Sequence, residues 1–282
     1  MLTSLVIELR APEAVTLPGH VGRASHALFL RLLAADAPDR AEALHSGEGL
    51  RPFTCSTLVG GRRQGKLMTV KPDQPCFVRF TTFEQELANW LAALPGRLPA
   101  TVELDGQSFS VVRAASDPAG HAWASQSTYP DLSGPYLLGR QAPEPRVEFE
   151  FVSPTTFRSG GRTLPLPLPE QVFGSLLDKW NAYAPVALPE ETRRFVDECL
   201  AISRYRLSTD AVTFKEGGLQ VGFTGTVRYV AINHDRYWLS VLQTLADFAF
   251  YAGVGYQTTT GMGQVRRTVA REGADHGQKT SR

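Results

Sequence analysis

The chain has 282 residues, of which 43% are hydrophobic and 20% are charged, and its formal net charge is +1. The length suggests two domains or one large one, with enough apolar residues for a sizeable core. The charge does not indicate a generally basic nucleic-acid binder, and no apolar run is long enough to predict a membrane span. The first residues lack the pattern of a secretory signal, and three widely spaced cysteines argue against a disulfide framework. We therefore expect a cytoplasmic protein.

The first half of the chain predicts the order strand, helix, two strands, helix, strand. Alternating apolar residues over 5–10 predict the first strand, and an apolar stripe over 22–35 predicts the first helix. Asp39 is the expected cap of a short second helix, and Thr82 is the expected cap of a third. The other predicted elements are helices at 39–44 and 83–94 and strands at 52–59, 66–70, 76–81 and 101–113.

The second half repeats this order after a stretch rich in proline and glycine. Residues 115–145 show little periodicity and are interpreted as a connector or insertion. The predicted elements that follow are strands at 146–151, 202–214, 219–232 and 264–269 and helices at 170–183, 189–200 and 236–251. Both halves thus predict a βαββαβ unit. The expected domains are 1–114, with the candidate catalytic histidines, and 146–270, with a tail at 271–282 that is expected to be disordered.

A glycine-rich segment between the last predicted helix and the last predicted strand is the most specific motif. Its distinctive residues are Gly253, Gly255, Thr258, Thr259, Thr260, Gly261, Gly263 and Arg266. Glycines allow close backbone approach, and their N–H groups can form a nest for phosphate, although an irregular packing turn remains the alternative. A dinucleotide fingerprint is disfavoured because that motif follows a strand and begins a helix.

The segment FAFYAGVGYQTTTGMGQVRR resembles the carboxy-terminal signature of the CRISPR-associated repeat-processing endoribonucleases, which are RAMP proteins of the sixth Cas family. Three other segments agree in order, so that the resemblance extends from residue 18 to residue 267. They are PGHVGRASHALFLRLL, ALHSGEGLRPFTCSTL, and FVSPTTFRSGG with the following PLPLPEQVFGSLLDKWN. The resemblance implies an α+β fold of tandem ferredoxin-like (RRM-like) domains, in agreement with the duplicated βαββαβ order.

The resemblance also implies metal-independent cutting of precursor CRISPR RNA within its repeats. The 2′-OH upstream of the cut attacks the phosphate and leaves a 2′,3′-cyclic phosphate and a 5′-OH end. That reaction needs a base, an acid and a cation to stabilise the developing charge, and histidine suits the first two roles. No sequence motif for a metal is present, and no cofactor is expected.

His45 is the first candidate for catalysis, in the LH…(K/R)xFT context where some members carry the catalytic histidine, and Arg51 is the matching cation. His26 on the first helix is the second candidate, and joint action of both histidines is the third. Some members carry a tyrosine fifteen positions before the catalytic histidine, where this chain has Leu30. The alternatives to Arg51 as the cation are Arg62, Arg63 and Lys66. The remaining histidines occupy positions typical of turns, caps, loops or tails. They are His20, His121, His234 and His276.

Arg158, Arg162 and Arg266 are the expected RNA contacts outside the glycine-rich segment, and Phe157 either stacks on a base or packs in the core. The resemblance implies CRISPR repeat RNA as the partner, as precursor and as product, and in some members other Cas proteins of an interference complex. A homodimer also stays open. Two alternatives to the enzyme remain: a subunit that holds the repeat RNA without cutting it, and an unrelated RRM-like RNA-binding protein.

Overall fold

The computed structural model describes residues 1–213 and 218–268, so the tail expected at 271–282, with His276, lies outside the described residues. The amino-terminal part contains the following elements: β1 Leu2–Arg10, β2 Val15–Pro18, α1 Gly22–Asp36, α2 Pro38–Ser46, β3 Phe53–Cys55, β4 Arg62–Gln64, β5 Leu67–Val70, β6 Cys76–Thr82, α3 Gln85–Ala93, β7 Thr101–Leu104, β8 Gln107–Ala115, β9 Ser125–Ser127 and α4 Tyr129–Leu137. The carboxy-terminal part contains these: β10 Arg146–Thr155, β11 Phe157–Ser159, β12 Arg162–Leu164, α5 Pro169–Tyr183, α6 Glu191–Cys199, β13 Leu200–Thr213, β14 Leu219–Ala231, α7 Arg236–Ala252 and β15 Val265–Arg267.

The amino-terminal sheet has the strand order β3-β6-β1-β8-β7, and its paired strands are antiparallel. With α1 after β1 and α3 after β6, this is the arrangement of a βαββαβ unit. The alternation of β1 places Ile7 beside Val78 on the face that packs against α1 and α3. Phe29 of α1 stacks on Phe53 with ring centroids 4.4 Å apart, which fixes the helix on the sheet.

The carboxy-terminal sheet repeats this arrangement with the order β13-β14-β10-β15. Helices α5 and α7 cover its core face, where Phe149, Phe173 and Tyr229 are buried. The fold is therefore a tandem of ferredoxin-like domains, and the predicted duplication of the βαββαβ order is confirmed.

Two expected helix caps are wrong. Glu84, not Thr82, caps α3, because its carboxylate accepts hydrogen bonds from the backbone N–H groups of Glu86 and Leu87 at 3.0 and 3.2 Å. Thr82 instead continues β6, where it pairs with β1 and β3. Helix α2 begins at Pro38, and no side chain caps it. Tertiary pairing of the strand therefore overrides the local capping preference of threonine.

The connector at 115–145 contains regular structure that the sequence analysis did not predict. Strand β9 pairs with the start of β1, and Thr128 and Asp131 form a capping box at the start of α4. The hydroxyl of Tyr129 donates to the carbonyl of Phe83 at 2.6 Å. These contacts attach the segment to the amino-terminal sheet, and α4 also packs against α7.

A buried arginine joins the two halves of the chain. Arg79 in β6 donates to the side-chain carbonyl of Gln264 at 2.7 Å and to the backbone carbonyl of Phe250 at 2.6 Å. Its guanidinium also lies over the rings of Trp123 and Phe250. Burial lowers the pKa of Arg79 to about 9, so these acceptors and rings have to compensate for the lost hydration. The contact fixes the end of α7, and therefore the start of the glycine-rich segment, against the amino-terminal sheet.

Candidate active site and RNA-binding interface

The glycine-rich loop, defined here as residues 253–263, connects α7 to β15 and packs against both halves of the chain. Gly253, Gly255, Gly261 and Gly263 all have positive φ, between 59° and 96°. A Cβ at Gly255 would overlap the carbonyl of Thr156, and a Cβ at Gly261 would lie 2.7 Å from Cε1 of His20. Glycine is thus required at these positions by conformation and by space.

Several backbone N–H groups of the glycine-rich loop already donate to protein acceptors. Val254 N–H donates to Gly263 O at 2.9 Å, Gly255 N–H to Ser175 Oγ at 3.1 Å, and Gly263 N–H to Pro154 O at 3.1 Å. These donors are not available for an anion nest. RNA binding by this loop stays a prediction, and it depends on the half-exposed side chains of Thr259 and Thr260 more than on the glycine backbone.

The start of α1 lies in close contact with the glycine-rich loop. A Cβ at Gly22 would overlap the carbonyl oxygen of Thr260, so only glycine permits this approach. The Nε2–H of His20 donates to Thr260 O at 2.8 Å, and the Nδ1–H of His26 donates to Thr259 O at 3.1 Å. The structure therefore brings His26 together with the predicted RNA-binding loop, and it shows His20 to be a second link of the same kind.

Burial is the main cause that lowers the pKa of His26, and its bond to Thr259 O opposes this effect. The charges of His45 and Arg51 lower the pKa of His26 further, so both groups lie within electrostatic range of His26. Burial thus favours the neutral imidazole of His26, and the bond to the carbonyl of Thr259 places a proton on Nδ1. His20 behaves similarly, because burial also lowers its pKa.

His45 is exposed in the last turn of α2. Half-buried Arg51 folds back onto the end of this helix, where its Nη2 donates to the carbonyl of Gly47 and lies 3.5 Å from the carbonyl of His45. The hydroxyl of Tyr183 in α5 donates to the carbonyl of Leu50. The loop that follows His45 is therefore attached to the carboxy-terminal domain, a contact that the sequence analysis did not predict.

The predicted RNA-binding arginines occupy two different environments. Exposed Arg158 on β11 lies over the ring of Tyr256, 4.2 Å from its centroid, and so belongs with the glycine-rich loop. Exposed Arg162 begins β12 in the same hairpin. Arg266 pairs instead with Glu150 at 2.7 Å and lies over Trp123. Phe157 is 4% exposed, which places it in the core and leaves no face for a base.

Other predicted positions carry structural contacts. Leu30, at the position of the family's tyrosine, packs against the amino-terminal core. Arg63 donates to Gly19 O and pairs with Asp210 at 2.8 Å, whereas Arg62 and Lys66 are exposed. Among residues 1–213 and 218–268, no cluster of three or more His, Cys, Asp or Glu side chains is placed to hold a metal. Within the same residues, no helix has the length and hydropathy of a membrane span.

Comparison with known proteins finds similarity to one family. The family model for "CRISPR-associated endoribonuclease Cas6" matches residues 149–265. A Mycobacterium tuberculosis protein described as a CRISPR-associated endoribonuclease Cas6 is 30% identical over 128 residues, which are 44% of this chain. The match spans only 40% of the length of that relative.

Solved structures extend the similarity over nearly the whole chain. A Cas6 product complex superposes with a TM-score of 0.78 at 28% identity, covering 95% of this chain and 99% of the other. A structure of Thermus thermophilus Cas6 gives a TM-score of 0.71 at 27% identity, with 95% and 98% covered. Sequence motifs, the family model and the fold therefore agree that the chain is similar to the Cas6 family of CRISPR-associated proteins.

Proposed function

We propose that this chain is an endoribonuclease that cuts precursor CRISPR RNA within its repeats. The observation that carries the proposal is the position of His45: exposed, preceding half-buried Arg51, and within electrostatic range of His26 beside the glycine-rich loop. The similar M. tuberculosis protein is described as an endoribonuclease, and one similar Cas6 structure is a product complex. A solvent-accessible imidazole, with a guanidinium folded back onto the same helix end, is suited to transfer a proton at a phosphodiester.

In the proposed reaction, the 2′-OH upstream of the cut attacks the phosphorus. A bond forms from the 2′ oxygen to phosphorus, and the bond from phosphorus to the 5′ oxygen breaks, so the products are a 2′,3′-cyclic phosphate and a 5′-OH end. His45 takes the proton from the attacking 2′-OH and delivers a proton to the departing 5′ oxygen, and Arg51 stabilises the charge that develops on the phosphoryl oxygens. No step in this scheme uses a metal.

His26 is assigned a supporting role in this scheme. Its Nδ1–H is engaged by the carbonyl of Thr259, and burial, which lowers its pKa, disfavours the protonated form that would act as an acid. It therefore acts mainly by holding the glycine-rich loop, from which Thr259 and Thr260 contact the RNA. Arg158 and Arg162 on the β11–β12 hairpin and Arg266 on β15 are the proposed cationic contacts to the RNA backbone.

The first test is a cleavage assay with the repeat RNA of the CRISPR array in the source genome. The protein is incubated in excess EDTA with the all-ribose RNA and with the same RNA carrying a 2′-deoxy sugar upstream of the cut. We expect cutting of the all-ribose RNA only, with a cyclic phosphate on the upstream product. A tight gel shift without cutting would instead show a subunit that holds the repeat. Neither cutting nor binding would refute both functions.

Association with other Cas proteins and formation of a homodimer belong to the same proposal. They are tested by co-purification of the chain with its neighbouring Cas proteins and by its mass in solution, with and without repeat RNA. The cytoplasm is the expected compartment, since the proposed substrate is a transcript.

A further inference from the structure

A cavity of about 320 Å³ lies between the loop that follows α2 and the carboxy-terminal domain. Its walls include Leu50, Arg158, Ser175, Asp178, Lys179 and Tyr256. The volume lies at the lower end of the range of small-ligand sites. Because Leu50 directly precedes Arg51, the cavity adjoins the proposed cutting site, yet the scheme above gives it no role.

One wall of the cavity is a stacked pair of flat groups. The guanidinium of Arg158 lies 4.2 Å from the ring centroid of Tyr256. The backbone on both sides is held, since Tyr256 N–H donates to Thr156 O at 2.8 Å and Gly255 N–H donates to Ser175 Oγ at 3.1 Å. Aromatic and guanidinium planes are the surfaces on which single-stranded bases stack.

The interior of the cavity offers hydrogen-bonding groups of both kinds. Lys179 is 5% exposed, and its Nζ donates to the carbonyls of Ala252 at 2.8 Å and Gly253 at 3.1 Å, where α7 enters the glycine-rich loop. Asp178 contributes carboxylate acceptors and pairs with Arg193. Ser175 adds a hydroxyl. The cavity thus combines one buried, ordered amine with acceptors a few ångströms along the same helix.

The balance of charge decides between a base and a phosphate. The lining cations Arg158, Lys179 and Arg193 stand against the lining carboxylates of Glu170 and Asp178. Burial lowers the pKa of Lys179 to about 7, so its contribution is less than a full charge at neutral pH. The lining charges therefore nearly cancel, so a phosphate gains little there, whereas an uncharged base can use donors, acceptors and the flat wall together.

We propose that this cavity receives one unpaired base of the bound RNA, adjacent to the phosphate that is cut, and that this base stacks on Tyr256. The inference rests on the proposed function, because the RNA is the same substrate. It adds a specificity site that reads a base, where the proposed catalytic residues act only on the backbone.

The test combines base removal with a variant of the stacking residue. A repeat RNA with a 2′-deoxy sugar at the cut is made with single abasic positions on either side of it, and its affinity is measured for wild type, Tyr256→Leu and Tyr237→Leu. Tyr237 is an exposed tyrosine of α7 that serves as the matched control. We expect one abasic position to weaken wild-type binding about tenfold, since base stacking on an aromatic group has this magnitude.

In Tyr256→Leu the same abasic RNA and the intact RNA should bind equally, because the stacking partner is already absent. Tyr256→Trp should restore the difference in affinity between the intact and the abasic RNA. Arg158→Met tests the other member of the stacked pair, and because Arg158 is exposed this variant is not expected to misfold. It should reduce the difference in affinity between the intact and the abasic RNA. If wild type binds the repeat but no abasic position is coupled to Tyr256 or Arg158, the base site is refuted and the proposed function stands. If wild type neither binds nor cuts the repeat, the proposed function itself fails.

Discussion

The Nδ1 atom of His26 lies 3.1 Å from the carbonyl oxygen of Thr259, which bonds the first helix of the amino-terminal domain to the last loop of the carboxy-terminal domain. His20 repeats the contact with Thr260 one step further along the loop. The two histidines thus hold the glycine-rich loop against the start of α1, where His26 is within electrostatic range of His45 and Arg51. In the proposed scheme the two candidate histidines have separate tasks: His26 positions the loop, and exposed His45 transfers the proton.

Replacement of His45 should abolish cutting and leave binding intact. In His45→Ala we expect the single-turnover rate in EDTA to fall by about 10²–10⁴, the usual contribution of general acid–base catalysis. RNA affinity should change less than threefold, because His45 is one exposed side chain among many contacts. His234→Ala, in the turn before α7, is the control and should cut normally. A His45→Ala protein that cuts at the wild-type rate would move the proton transfer to another group.

His26 is best tested by a pair of variants. In His26→Ala the carbonyl of Thr259 loses its donor, so the free energy of unfolding should fall by ~1–2 kcal/mol and cutting should fall with it. Asparagine can place an amide N–H near the position of Nδ1, so His26→Asn should recover most of both losses. Urea unfolding and single-turnover cutting are measured on the same preparations. Full folding but no cutting in His26→Asn would show that the imidazole itself takes part in catalysis.

Gly22 permits the close approach of α1 to the loop. Gly22→Ala should push the carbonyl of Thr260 away, with a loss of stability of about 2–4 kcal/mol and a slower cut. Gly134 lies in α4 with open space around the position of a Cβ, so Gly134→Ala should keep activity and raise stability by up to ~1 kcal/mol. Thermal unfolding of the two variants provides the comparison. Equal stability of both would contradict the close contact.

Lys179 should make stability depend on pH just above neutrality. Its pKa is lowered in the folded chain from 10.5 to about 7, so above pH 7 the unfolded chain binds the additional proton. The free energy of unfolding should therefore rise between pH 7 and 8.5, by as much as ~1.4 kcal/mol per pH unit. The neutral amine still has two hydrogens for the carbonyls of Ala252 and Gly253.

Chemical unfolding at several pH values checks this prediction. Lys179→Met should flatten the rise between pH 7 and 8.5, and it should also lower stability at every pH because two carbonyls lose their donor. Lys71→Met, at an exposed turn, should retain the wild-type slope. An unchanged slope in Lys179→Met would show that the amine is charged in the folded chain.

Local patterns in the sequence were sufficient for the main elements. Both βαββαβ units are identified by the alternation in β1 and β10 and by the apolar stripes of α1, α5 and α7. Apolar residues recur at every second position in a strand and at every third or fourth position in a helix, so these patterns distinguish the two kinds of element. Strand β5 was predicted, but its partner β4, the hairpin β11–β12 and the helix α4 were missed. Their residues lack a clear apolar period, so local patterns do not identify them.

The candidate site was identified in part. Motifs proposed the candidates His45, His26, Arg51 and the glycine-rich loop, and the structure places the loop on α1 and brings His45 and Arg51 within electrostatic range of His26. Tyr183, Lys179 and Tyr256 were not found, since nothing in their local sequence distinguishes them from ordinary helix and loop residues. Their significance depends on contacts with Leu50, Ala252 and Arg158, respectively.

The sequence by itself determined the periodicity, the duplicated order and the resemblance to the family, because these are properties of neighbouring residues and of short motifs. Only the tertiary structure decided the partners: the bond of His26 to a residue 233 positions away, the attachment of the His45 loop to α5, and the cavity beside Tyr256. Such contacts form when two cores, each folded from its own pattern, dock and bury polar groups that must then find partners. No local pattern specifies which partners those are.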